Sequence, residues 1–154
     1  MRKALNIIVP ILICFLVGMT ASYFQADAIQ TWYPTLNKPI LTPPNIIFPI
    51  AWSIIYLLMG ASIGLVLNSS TPEKRKIGIL FILQLLFNFS WSFSFFYLQN
   101  PLLGLINILI LDILVLMYII KTYKAFKVSS YLFLPYIIWI AFATYLNGYI
   151  WLAN

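Results

Sequence analysis

Long apolar runs alternate with short polar connections along this entire chain. The runs cover about residues 4–24, 46–68, 77–98, 102–123 and 131–152. Each matches the roughly 20 residues that a helix needs to cross the hydrocarbon of a bilayer. Hydrocarbon offers no partner to a free backbone N–H or C=O, so runs of this kind have to be helical. The pattern predicts an all-α integral membrane protein, a single transmembrane domain over residues 1–154 built as a five-transmembrane-helix bundle.

The first run has a basic start, and Ala26-Asp27-Ala28 follows it, as in a signal peptide with its cleavage site. Its apolar part is longer than the usual signal core and reaches spanning length, so it reads as a retained helix. Cys14, Gly18 and Ser22 recur every four residues and give it a narrow face suited to close helix contact. The longest connection, residues 25–45, reads QADAIQTWYPTLNKPILTPPN. Its prolines Pro34, Pro39, Pro43 and Pro44 oppose a long helix and favour a stiff, turning segment. The other connections are SSTPEKRK, the uncharged Gln99-Asn100-Pro101, and a stretch from Lys124 to Ser130.

Charge adds direction. Of nine Lys and Arg residues, eight fall in three clusters, at Arg2-Lys3, Lys74-Arg75-Lys76, and Lys121, Lys124 and Lys127. These clusters lie at alternate ends of successive spans, which is the positive-inside pattern. It places the N-terminus in the cytoplasm, the C-terminus outside, and the 25–45 loop outside as a lid. The net charge of +6 is thus a topology signal with no stripe for nucleic acid. At 63% hydrophobic and 8% charged, the chain departs far from the roughly 25% charge of soluble domains. Its Ile-, Asn- and Lys-rich make-up without a transit peptide points to a bacterial cytoplasmic membrane.

The chain has no histidine and a single cysteine, Cys14. Zinc chemistry, histidine acid–base catalysis and an intramolecular disulfide are excluded, and no metal site is expected. A thiol in an apolar run stays protonated, which argues against a nucleophilic role for Cys14. Chemistry then rests on polar and aromatic residues within the spans. Gln84, Asn88, Trp91/Ser92 and Phe95 share a face of the third helix. Phe48, Trp52, Tyr56 and Met59 do so in the second, and Tyr136, Trp139, Ala143 and Asn147 in the fifth. Asn107 lies toward the outer end of the fourth helix. Amides in hydrocarbon must turn inward, and at one depth they outline a cavity in the outer half of the bundle. The competing reading is that they only tie the helices together. Asp112, the only acid within a span, reads as an interhelical bond in preference to an ion site. Gly60 and Gly64 form a GxxxG pair that fits either dimerisation or internal packing.

Taken together, these residues resemble the translocator protein family, also called tryptophan-rich sensory proteins or peripheral benzodiazepine receptors. The resemblance runs over nearly the whole chain. It rests on Trp32-Tyr33, Leu36, Lys38-Pro39, Pro43-Pro44, Trp52 through Tyr56 to Gly60, Gln84, Asn88, Trp91, Phe95-Phe96, Asp112, and the block LPYIIWIAFATYLN from Leu134 to Asn147. It implies a tight bundle, commonly a homodimer. It also implies binding of porphyrins such as protoporphyrin IX, and of isoquinoline and benzodiazepine ligands, in a pocket closed by the first loop. By position, Tyr33 resembles part of the lid. Trp52, Tyr56, Asn88, Trp91, Trp139 and Ala143 resemble pocket lining, with Asn147 near it. Trp52 and Trp139 match the tryptophans tied to light-dependent porphyrin degradation.

There are departures. Ile46 and Phe89 stand where many members have Trp, and Ser92 where many have Pro, so Ser92 as a ligand contact rests on helical spacing alone. Tyr149 is followed by IWLAN, without the basic residue of the animal cholesterol motif, which puts sterol binding in doubt. The expected function is a receptor for porphyrin-type tetrapyrroles and flat drug-like ligands, needing no cofactor. A light-dependent porphyrin-degrading enzyme is the alternative, and a small-molecule transporter the second. Five spans without a detectable repeat weigh against the last.

Overall fold

The computed structural model describes residues 2–154, and all regular structure among them is helical. Helix α1 spans Arg2–Thr31, α2 Ile47–Asn68, and α3 Lys74–Ser92, which continues into a π-helical turn at Phe93–Tyr97. Helix α4 spans Pro101–Ala125, α5 Lys127–Leu132 and α6 Leu134–Ala153. With α5 and α6 counted together, five segments are long and apolar enough to cross a membrane. Residues such as Met19, Ile138 and Leu152 are exposed on the outside of the bundle, where hydrocarbon is the solvent. This is an integral membrane protein.

Two connections differ from expectation. The loop expected over 25–45 is shorter, because α1 persists through QADAIQT to Thr31. Polarity there marks the end of the hydrocarbon and not the end of the helix. The 30 residues of α1 make a rod about 45 Å long, against a core of about 30 Å. The helix stops where Pro34 disfavours further turns and a 3-10 turn, Tyr33–Thr35, takes over. The second difference lies between Lys124 and Ser130. The chain breaks at Phe126, in an extended conformation, and at once resumes as α5. Ser129 and Ser130 are buried, not solvated. Ser62 Oγ donates to Ser129 O (2.7 Å) while Ser129 Oγ donates to Ser62 O (2.9 Å). This reciprocal pair ties α5 to α2 and satisfies backbone carbonyls beside the bend at Phe133.

All eight clustered basic residues gather at one end of the bundle, with the lid segment at the other. At the basic end Asn6 Nδ2 donates to Asn68 Oδ1 (2.8 Å), and Lys121 pairs with Glu73 (2.7 Å). The Lys121 ammonium holds the Glu73 carboxyl below its usual range. Both side chains are 36% exposed, so solvent screens the pair and it contributes little to stability. Asn100 caps α4 by accepting from Leu103 N (2.9 Å), with Pro101 following it. Gln99 before it takes a positive φ of 49°, closing the tight turn from the π segment.

The two readings of Gly60 and Gly64 resolve in favour of internal packing. A Cβ on Gly60 would strike the backbone of Ile11. One on Gly64 would lie 2.6 Å from Ile7 Cα and 2.7 Å from Asn6 O. Pro10 lacks the N–H that would bond Asn6 O within α1, so that carbonyl sits free against the Gly64 surface. One step further, Gly18 of α1 receives the ring of Tyr56 from α2. Helices α1 and α2 are therefore in backbone contact over their basic halves.

Gly60→Ala should lower stability by about 1–3 kcal/mol, because neither backbone can yield. Gly78 has nothing within 4 Å of its would-be Cβ. Gly78→Ala should instead stabilise α3 by about 0.5–1 kcal/mol. Thermal unfolding of the two variants in one detergent checks the pair, and equal destabilisation would contradict the seam.

Candidate functional site

Beyond Tyr56 the interior opens into a cavity of about 400 Å³, within the size range of small-molecule sites, about 300–1,000 Å³. Its floor is Tyr56. The ring of Tyr56 rests on Gly18, and its hydroxyl donates to Asn88 Oδ1 (3.1 Å). Asn88 Nδ2 donates in turn to Tyr136 Oη (2.9 Å). Asn88 is 2% exposed and lies under the floor, not in the cavity wall. Its amide locks two tyrosines from α2 and α6 onto α3, which removes three polar groups from hydrocarbon at once.

Two indoles form the aromatic walls. Trp52 stacks on Tyr56 with ring centroids 5.5 Å apart at 25°, and meets Tyr136 edge-on at 6.1 Å. Trp91 stacks on Phe95 at 5.8 Å and 21°, and its Nε1 donates to Asn147 Oδ1 (3.1 Å). Asn147 Nδ2 donates to Pro101 O (2.7 Å), so this amide spans α3, α4 and α6. Asn147 thus both lines the cavity and holds Trp91 in place. Ser92 and Ala143 line it too, and Ser92 is a partner in neither amide network.

The lid covers the top. Tyr33 is buried against Phe96 (5.6 Å) and Phe95 (6.5 Å). This burial raises its phenol above the usual value, so it remains a neutral hydroxyl. Lys38 Nζ sits 4.9 Å over the Tyr33 ring and donates to the carbonyls of Tyr33 (2.7 Å), Leu36 (3.0 Å) and Pro34 (3.3 Å). Asn154 accepts from Asn37 N (2.9 Å) and donates to Asn37 O (3.2 Å), fastening the lid to the end of α6.

Seven of the nine residues expected at the site line this cavity: Tyr33, Trp52, Tyr56, Trp91, Ser92, Ala143 and Asn147. Asn88 and Trp139 do not. Trp139 packs edge-on against Phe48 (5.8 Å), a residue that does line the cavity, and its Nε1 is buried without a partner. Asn107 donates to Ser90 Oγ (2.7 Å), and Asp112 Oδ2 accepts from Thr144 Oγ1 (2.7 Å). Both fasten helices to one another away from the cavity. The wall that sequence reasoning missed comes from α1, through Ala21, Ser22, Gln25 and Ile29. The Cys14–Gly18–Ser22 face was the signal for it, but that face seemed to promise contact and not a cavity. Among the described residues no cluster of three or more potential metal ligands occurs.

The TspO/MBR family model matches residues 10–152. The tryptophan-rich protein TspO of Archaeoglobus fulgidus is 41% identical over 97% of this chain and 97% of its own length. The protein of the same name from Chlorobaculum tepidum is 35% identical over 95% and 94%. The human translocator protein is 28% identical over 94% and 85%. With five spanning helices, a lidded aromatic cavity and this match over nearly its full length, the chain belongs to the TspO/MBR family.

Proposed function

We propose that this protein is a membrane receptor that binds porphyrin-type tetrapyrroles, and flat isoquinoline- or benzodiazepine-like molecules, in the lidded cavity. The supporting observation is the pair of pre-stacked indoles. Trp52 and Trp91 are each held by a second ring, so a flat ligand meets fixed faces and little side-chain freedom is lost on binding. Ser92, Asn147 and Gln25 are among the polar groups in a mostly apolar wall. In this reading the basic end lies in the cytoplasm and the lid end outside, since cationic loops are retained on the cytoplasmic face.

A second reading, light-dependent porphyrin degradation, is favoured by the surroundings of Trp52. Its nearest ring neighbours include two phenols, those of Tyr56 and Tyr136. An excited porphyrin and dioxygen would supply the reactive species, and no acid–base group of the chain is required.

Protoporphyrin IX added in the dark should quench the tryptophan fluorescence of the purified protein and saturate at a single ligand per chain. Stable porphyrin absorbance under subsequent illumination supports the receptor, and a new product spectrum supports the enzyme. Trp52→Leu with Trp91→Leu should weaken binding by about 1–3 kcal/mol, roughly 5- to 150-fold in Kd. Trp139→Phe should change Kd less than about threefold, because Phe48 stands as its contact with the cavity. Equal losses from both changes would contradict the assignment of the walls. Asn88→Leu should act on stability instead. It strands the Tyr56 and Tyr136 hydroxyls, at about 1–3 kcal/mol for each unsatisfied group, read as a lower unfolding temperature.

A further inference from the structure

We infer that the ligand enters and leaves this cavity sideways, through a slot between α1 and α2 that opens to the lipid leaflet at the lid end. The inference rests on the receptor reading above and adds the route and the kind of ligand that fits it.

The slot follows from how the two helices pair. They run antiparallel, with Gly64 against Ile7, Gly60 against Ile11 and Tyr56 against Gly18. Counted onward from the Tyr56–Gly18 contact, the pairing places Trp52 opposite Ser22, Pro49 opposite Gln25, and Asn45, just before α2, opposite Ile29. All six residues line the cavity. Where glycines let the backbones touch, the seam is shut, and where no glycine stands the same two helices have the cavity between them. Tyr56 is the wedge at the point of parting.

Exposure shows which side is open. Ser22 and Ala26 of α1, Pro49 of α2 and Asn45 just before α2 line the cavity and are exposed. The opposite wall, with Ser92, Phe95, Ala143 and Leu146, is buried. Ser22 stands one turn beyond Gly18, beside Met19 and Tyr23, which are 68% and 80% exposed on the apolar flank of α1. The slot therefore reaches down into the hydrocarbon. The top is covered by the lid, which Lys38 stiffens through three of the lid's own carbonyls and the Asn37–Asn154 bonds fasten to α6.

The lining of the slot defines its ligand. Gln25, Gln30 and Asn45 bring three uncharged amides to the mouth, while the interior is aromatic. Gln25 stands seven residues beyond Gly18, about 10 Å higher along the helix, toward the headgroup region. A flat amphiphile already dissolved in the leaflet, with its ring among the acyl chains and its polar edge at the headgroups, enters without leaving the membrane. Its polar edge then stays with the amides. A ligand crossing the lid from water would have to break the Asn37–Asn154 fastening.

The test is stopped-flow binding of protoporphyrin IX to the full chain in lipid vesicles. Ala26→Phe, in the exposed mouth of the slot, should slow both association and dissociation by at least about tenfold. Asn37→Ala with Asn154→Ala, which unfastens the lid, should leave both rates within about twofold. In the wild type, adding lipid at fixed porphyrin should slow association in proportion, since the ligand pool is the membrane. Faster exchange in the unfastened variant, with unchanged rates in Ala26→Phe, would assign entry to the lid and overturn the slot alone. A wild type that shows no saturable binding overturns the receptor reading and the slot with it.

Discussion

Contact between the backbones of α1 and α2 shapes this molecule more than any other single feature. Gly60 and Gly64 let α1 approach until Ile7 and Ile11 lie where side chains would stand, and Gly18 accepts the Tyr56 ring. In hydrocarbon, helix association gains little from apolar burial, because lipid tails are as apolar as leucine. Close packing of small residues supplies the attraction instead. Once α1 and α2 are clamped along their basic halves, their other halves are free to stand apart. The cavity occupies that gap, with the floor set by the residue that ends the clamp.

Unpaired polar groups are expensive in this solvent, and several of the buried polar side chains carry a defined task. Asn88 joins two tyrosine hydroxyls beneath the cavity. Asn147 orients Trp91 and ties α6 to the start of α4. Asp112 joins Thr144, and Asn107 joins Ser90. The cavity wall is held by paired groups beneath it, which leaves the aromatic faces of Trp52 and Trp91 fixed in place. The Trp139 Nε1 is buried without a partner, as are Gln84 Oε1, Asn107 Oδ1 and Asp112 Oδ1, and the Trp139 ring packs against Phe48.

Much of the site was legible before any coordinates. Helical spacing alone grouped Trp52 with Tyr56, Asn88 with Trp91 and Ser92, and Ala143 with Asn147. Six of these seven line one cavity. Spacing failed where two residues share a helical face but differ in depth or in what shields them. Asn88 lies one turn below Ser92 and so falls under the floor. Trp139 lies one turn from Ala143 but meets Phe48. The polar end of α1 was misjudged because hydropathy reports the edge of the bilayer, whereas hydrogen bonding and proline decide where a helix stops.

By itself, the sequence determined the number of spans, their helical state, the clustering of charge at alternate ends and the lack of any histidine. Those properties follow from local composition against one fixed solvent, so each can be read a segment at a time. Tertiary structure alone decided whether the glycine pair of α2 served a second copy or α1, and whether the small-residue face of α1 was filled or left open. It also decided which of the inward polar groups line the cavity. Each of those depends on the register between helices far apart in the chain, which no single segment encodes. The same glycine spacing is compatible with several partners, and only the assembled bundle shows Ile11 occupying the place that a side chain on Gly60 would need.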